Sequence, residues 1–344
     1  VIDELTELKS KYADARRTRI IQLKEGEKAS QLLTQTDVMP LENFWVEINA
    51  EGFISRTEDD KPNRLGGENA PWSILRTNSH QTLFLVTPEG QAAAIHMLSI
   101  PVQRGEEPTT PVHKLSPLSE DEVVQAAFAI PIEKNDIGER YVLTVTRQGM
   151  VKKSLVTELP GASANRFTLV KVNEGDELFR VLLTDGKKEV LLTTAKGMSI
   201  RFSETDVRPM GLLAAGVNGI KLKEGDYVVG ASLIEAGNEV GLVTNQGWAK
   251  RIKAEEFPQQ GRYGQGVISW KLKGEDSIVV QLCGKLTDRV VCHFRKSASK
   301  VFTLTNAVER TRQANGQILF KLKPDDELIG FTCLDDFSSY WEKA

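Results

Sequence analysis

A Lys-Leu pair recurs through the second half of this chain at a fixed step: Lys221-Leu222, Lys271-Leu272 and Lys321-Leu322 lie fifty residues apart. Lys171-Val172 keeps the step, and Lys114-Leu115 lies 57 residues further back. An acidic turn follows each later copy (Glu174-Gly175-Asp176, Glu224-Gly225-Asp226, Gly274-Glu275-Asp276, Pro324-Asp325-Asp326) and leads into a β-branched run. A period this long means a repeat architecture, in which one unit cannot bury its own faces and neighbours must stack.

A second landmark opens each repeat: an apolar run, a glycine turn, then basic residues. The later copies are Val142 to Thr146 with Gly149 and Lys152-Lys153, Val190 to Thr194 with Gly197 and Arg201, and Val240 to Thr244 with Gly247 and Lys250-Arg251. The earlier ones are Phe44 to Ile48 with Gly52 and Arg56, and Leu83 to Thr87 with Gly90. The sixth, Val290 to Phe294, puts Ser297 at the glycine position and keeps Lys300. Each copy reads as two strands around a tight turn, a polar loop and two more strands. Four strands per 40–50 residues is the signature of a propeller blade, and a ring of blades leaves few open edges.

Residues 1–22 differ, because Ile2, Leu5, Leu8 and Tyr12 recur at helical steps between charges. The expected organisation is helix and linker over 1–41, a six-bladed ring over 42–337, and a tail over 338–344. The opening at Val1, with no Met, suggests an excised piece, and no signal-peptide pattern or apolar stretch of membrane-spanning length is visible.

Charge is segregated. The net charge is only -3, yet residues 41–138 carry 7 Lys/Arg against 15 Asp/Glu, whereas residues 139–323 carry 29 against 19. A polyanion responds to the local field rather than to the total. Cys283, Cys292 and Cys333 have no C-x-x-C spacing, and His80, His96, His113 and His293 are scattered, so neither set suggests a metal site or a catalytic cluster. The reading is of a binding ring in a reducing cytoplasm, with no membrane association.

Two segments resemble a known family. Residues 11–20, Lys-Tyr-Ala-Asp-Ala-Arg-Arg-Thr-Arg-Ile, are similar to the last helix of the cleavage core of bacterial type IIA topoisomerase A subunits. Glu204 to Gly211 (Glu-Thr-Asp-Val-Arg-Pro-Met-Gly), followed by Ala215 to Leu222, looks like a blade of the C-terminal domain of those subunits. The resemblance implies an all-β, six-bladed β-pinwheel behind a short N-terminal helix, wrapping duplex DNA around its rim. It implies partners in the rest of the A subunit and in the B subunit of a supercoiling DNA gyrase, or in a decatenating topoisomerase IV. It also implies no cofactor in this part, since the attacking tyrosine and the Mg2+- and ATP-dependent steps belong elsewhere in the parent enzyme. Tyr12, Tyr141, Tyr227, Tyr263 and Tyr340 have no neighbouring acidic cluster for metal-assisted phosphoryl chemistry.

The family's wrapping motif, Gln-Arg-Arg-Gly-Gly-Lys/Arg-Gly, has a degenerate counterpart in Asn63-Arg64-Leu65-Gly66-Gly67-Glu68-Asn69. The segment Gln260 to Gly266, around Arg262, is Gly-rich and basic at the same loop position of a later copy. No Gly-Lys-Ser/Thr completes a P-loop. Phosphate contacts are expected to dominate DNA binding. The candidates are Lys152, Lys153, Arg201, Lys250, Arg251 and Lys300 after the turns, and Arg64, Gly66, Gly67, Arg166, Arg208, Arg262, Arg310 and Arg312 in the loops. Contacts are expected to concentrate on blades three to six. A protein-interaction propeller is the rival reading, and it requires aromatic and acidic residues on one ring face.

Overall fold

The computed structural model describes residues 35–105, 107–134, 137–163 and 165–342, together with helical Ile2, Glu4, Leu5, Thr6 and Lys9. Most of the helix expected over 1–22 and the linker to 41 lie outside the described residues. Residues 1–40 and 41–344 form two separate units, and in the first Gln35–Val38 is one helical turn, α1.

The second unit is all-β and is built of six blades. Each has an inner, a central and a hairpin strand, in blade three Leu178–Thr184, Tyr141–Thr146 and Met150–Leu155. The central strands Gln81–Val86 and Tyr141–Thr146 are buried along their whole length, because a blade stacks on a neighbour at both faces. That double burial explains why these runs read as apolar and threonine without alternation. Inner strands pack against one another around the axis.

The sequence reading of four strands per copy holds in number but not in allegiance. The short strand after each loop crosses to the preceding blade and becomes its rim strand. Phe167–Thr168 pairs with blade two, Val217–Asn218 with blade three, Val267–Ile268 with blade four and Gln317–Ile318 with blade five. The two sequence landmarks meet through this exchange. Ser269 and Trp270 donate their N–H groups to the Gly197 carbonyl, at 2.8 and 3.2 Å. Gly197 has φ +83, and a Cβ there would lie 2.4 Å from the Trp270 carbonyl oxygen, so only glycine fits beneath the incoming strand. The sixth turn receives no following repeat, which is why Ser297 is tolerated there.

Ring closure takes another form. Gly67, in the loop of blade one, exchanges N–H···O bonds of 2.9 and 3.0 Å with Ser299 and occupies the rim position of blade six. The last inner strand, Leu328–Asp336, pairs in parallel with Ser73–Asn78 of blade one through Leu334, Asp335 and Asp336. Blades six and one thereby share one seven-stranded sheet. His293 lies in this seam, stacked on Trp72 with ring centroids 4.4 Å apart and bonded to Ser299 Oγ and Thr332 Oγ1. Burial pushes its pKa down to about 4. Residues expected as a tail form the short helix α2, Phe337–Glu342, whose Ser338 hydroxyl donates to Asn43 Oδ1 of blade one and whose Trp341 indole donates to the Ala129 carbonyl of blade two.

Candidate nucleic-acid interface

The basic residues that recur after each turn fall into two structural series. The first holds neighbouring blades together. Arg56, Lys153, Arg201 and Arg251 each reach the 3-10 turn of the following repeat and donate to its carbonyls: Ile100, Glu204, Ala254 with Phe257, and Ala307, at 2.9–3.1 Å. Isolated parallel bridges join the same four residues to Val102, Pro209, Gln259 and Glu309. Arg201 also pairs with Glu189, and Arg251 with Glu239 and Glu309. A 3-10 turn leaves carbonyls unsatisfied at its end, and a cation from the blade beneath satisfies them.

The second series lies under the loops. Lys152 Nζ donates to the carbonyls of Leu169 and Leu212 at 2.6 and 2.7 Å. Lys250 Nζ donates to those of Arg312 and Ala314 at 2.6 and 2.8 Å, and lies 4.6 Å from the Trp270 ring centre. Both side chains are almost wholly buried, and desolvation pushes each pKa down to about 8. Burial lowers that of Lys153 as well. Lys152, Lys153 and Lys250 therefore leave no ammonium at the surface, and the expectation of phosphate contacts there gives way to a role in building the ring. Arg201 and Arg251 have most of their donors committed in the same way. Lys300, the sixth member, is exposed beside Phe294 and Phe320 because no further repeat covers it.

The loop candidates divide again. Arg64, Arg208 and Arg310 are exposed. Arg166 is half exposed but ion-paired with Glu122 at 3.0 Å. Arg262 and Arg312 occupy one loop position fifty residues apart and make equivalent bonds, to the carbonyls of Asn218 and Ile268. Gly66 and Gly67 belong to the blade-six seam, and Leu65 beside them is buried with Ala70, Ile74 and Val291.

The most accessible cations follow the rim strands. Lys171, Lys221, Lys271 and Lys321 are exposed, and so are Lys223, Lys273 and Lys323 two residues on. Ion pairs among the described residues engage other cations, such as Lys188, Arg251 and Arg295, and none of these lysines. The acidic turns do not neutralise them at contact distance: Asp226 and Asp326 are buried and accept the backbone N–H groups of Lys196 and Lys296 at 3.0 and 2.8 Å. Neither lysine of each Lys-Leu-Lys triplet is among the sequence-derived candidates, although the period displays both. Blade one carries only Lys114 at the corresponding place. The arrangement is a peripheral track of cations at successive blades, suited to a polyanion held by its backbone.

The profile of the family described as "DNA gyrase C-terminal domain, beta-propeller" matches residues 140–185, 188–235, 239–280 and 300–335, together half of the chain. The chain belongs to that family. The match covers repeats three to six. Curated relatives include the DNA gyrase A subunits of Halalkalibacterium halodurans, 30% identical over 63% of this chain, and of Haloquadratum walsbyi, 30% identical over 64%. The chain spans about a quarter (26%) of the length of these relatives. Among solved structures, the C-terminal domain of DNA topoisomerase IV superposes with a TM-score of 0.73 at 26% identity, over 86% of this chain and 94% of that one. A DNA gyrase A C-terminal domain superposes at 0.67 and 21% identity, over 85% and 100%, and supports the fold. No helix among the described residues is long and apolar enough to cross a membrane.

Proposed function

We propose that this domain binds duplex DNA without reading its sequence, and bends it along the rim, as the C-terminal part of a bacterial gyrase-type A subunit. The observation that carries the reading is the track of exposed Lys-x-Lys pairs at Lys221 and Lys223, Lys271 and Lys273, and Lys321 and Lys323. These are joined by Lys171, Arg208, Lys300 and Arg310. Successive blades present equivalent charges at equivalent places, so a duplex following the rim meets a phosphate contact at each blade. Bending is resisted by duplex stiffness and offset by contacts along the path, at a cost of several kcal/mol for tens of base pairs. The domain supplies the held segment, while strand cleavage and ATP hydrolysis belong to the remainder of the A subunit and to the B subunit, in the bacterial cytoplasm. No cofactor is needed for the contacts proposed here.

The test is fluorescence anisotropy on duplexes of increasing length across a salt series. The expected result is affinity that falls steeply with salt and rises with length until the track is filled. Salt-independent binding, or none at low salt, overturns the proposal.

One observation favours the topoisomerase IV form of the reading, in which wrapping is weak. The loop that carries the family's basic motif here holds Arg64 beside Glu68, in the acidic third of the ring, and commits Gly67 to ring closure. The linking-number shift on a nicked and religated plasmid separates the two forms: a large positive shift per bound domain supports the gyrase form, and a negligible one the other.

A further inference from the structure

We infer that Tyr263 is a wedge that bears on the bases of the bound duplex at one point of the rim, in addition to the phosphate contacts around it. The inference rests on the rim reading above and assigns a chemical role to a residue which that reading leaves unused.

Tyr263 sits at the tip of the loop Gly261 to Gly266, which crosses from blade five to become the rim strand of blade four. Its φ is 66°. Only one other described non-glycine residue, Asp325, has positive φ, and Asp325 occupies a turn position held by Gly175 and Gly225 in earlier repeats. Tyr263 has no such excuse of position, since its counterparts Leu213 and Gln313 do not share that conformation. A left-handed backbone at a bulky residue is strained and persists only where the surroundings over-determine it. Here they do. The Tyr263 N–H donates to the Gly219 carbonyl at 2.8 Å, the Lys221 N–H donates to the Gly264 carbonyl at 2.9 Å, and the Arg262 guanidinium donates to the Asn218 carbonyl.

The strain is not offset by burial of the ring. Tyr263 is 50% exposed, and no aromatic or cation–π contact among the described residues engages it. A rigid, strained loop thus holds an aromatic ring outward. The same loop is bonded to the segment bearing Lys221 and Lys223, and it runs on to Lys271 and Lys273. A duplex held by those lysines crosses this tip. Side chains that press between base steps from the minor groove partly unstack them and bend the duplex, and pyrimidine–purine steps yield most readily. The otherwise sequence-blind rim should therefore show a mild preference for a TA or CA step at this one place. Leu213, 76% exposed at the corresponding tip one repeat earlier, offers a second, less effective apolar contact.

The full chain and two variants test this. Tyr263→Gly removes the ring and suits the positive φ, so its unfolding temperature should equal or exceed the wild type's. With every lysine intact, its salt dependence should be unchanged, while affinity for a duplex carrying a central TA step falls about fivefold or more, the range of an aromatic–base contact. Permanganate reactivity of the TA thymine should appear with wild-type protein, disappear with Tyr263→Gly and persist with Tyr263→Phe. Unchanged affinity and reactivity in Tyr263→Gly overturn the wedge. So does an equal loss in Tyr263→Phe, which would place the contact in the hydroxyl. Wild-type binding that is salt-dependent but leaves no reactive step overturns the wedge alone. Absence of salt-dependent binding by the wild type overturns the rim reading and the wedge together.

Discussion

Blades one and two and blades three to six share one plan of inner, central and hairpin strands, yet the two regions differ at the positions that matter for a polyanion. Blades three and five place Lys152 and Lys250 beneath their loops, where blades one, two and four have Ser55, Ala93 and Ile200. Where the later blades clamp the next repeat with Lys153, Arg201 and Arg251, blade one keeps Arg56 and blade two has Ala94. The exposed Lys-Leu-Lys triplets begin after blade three, and the acidic excess lies in residues 41–138. A recurring cation can therefore mean two things. After the turn it builds the ring, and after the rim strand it faces solvent.

The largest expected effect breaks the track itself. Reversing Lys221, Lys223, Lys271 and Lys273 to Glu should weaken binding at least about a hundredfold near physiological salt, and should flatten the log–log salt slope by roughly 0.9 for each phosphate no longer neutralised. Reversing Lys61 and Arg64 in blade one should change affinity only a few-fold. Comparable weakening by the two sets, measured by anisotropy titration, would dissolve the distinction between the regions.

The next effect lies in stability. Lys250→Ala strands the half-buried carbonyls of Arg312 and Ala314 and should cost about 2–3 kcal/mol. At the corresponding position of blade one, Ser55→Ala removes a single bond to Gln103 Oε1 and should cost about 1 kcal/mol. Urea unfolding of both variants measures the difference. Charge reversal at Lys250 and Arg251 should reduce DNA binding through damage to the fold, visible as a lowered unfolding midpoint without DNA.

A pH dependence follows from the same lysines. Their folded pKa values of about 8 lie below the ordinary 10.5, so between those limits the unfolded chain binds more protons than the folded one. The cost of holding protonated lysines in the interior is fully present below pH 8 and disappears as pH rises toward 10.5. Wild-type stability should therefore rise over that interval relative to a Lys152→Met, Lys250→Met double variant. A parallel pH profile for the two proteins would show that the buried ammonium groups are not the cause.

The smallest effect concerns the loop of blade one. Leu65 is part of a small core, so a basic residue there would disrupt packing rather than restore a phosphate ligand. Glu68→Lys with Asn69→Gly avoids that and should raise affinity about two- to threefold, the scale of an exposed charge change. The linking-number shift per bound domain should increase with it. No change in either quantity would place the limiting contact elsewhere on the rim.

The repeat, the six copies and the turn glycines are all legible as sequence, because apolar and β-branched strand runs and tight turns are local demands. The departure at Ser297 is legible too, though its reason is not. The site is less so. Lys152, Lys153 and Lys250 read as surface cations, because a lysine in an exposed hairpin and a lysine under a neighbour's loop have the same local spelling. Lys223, Lys273 and Lys323 keep the fifty-residue step, but nothing local to them distinguishes an exposed rim lysine from the many other lysines of the chain. Tyr263 carries no signal, since a backbone dihedral has no letter.

The sequence by itself determined the blade count, the strand runs and the division of charge, each a matter of composition or periodicity along the chain. Only the tertiary structure decided which blade each rim strand joins, which cations are enclosed and how the ring closes through Gly67 and the Leu334–Asp336 pairing. Those outcomes depend on contacts between residues tens to hundreds of positions apart. The burial that turns a lysine from a phosphate ligand into a structural clamp is supplied by the next repeat, not by its own.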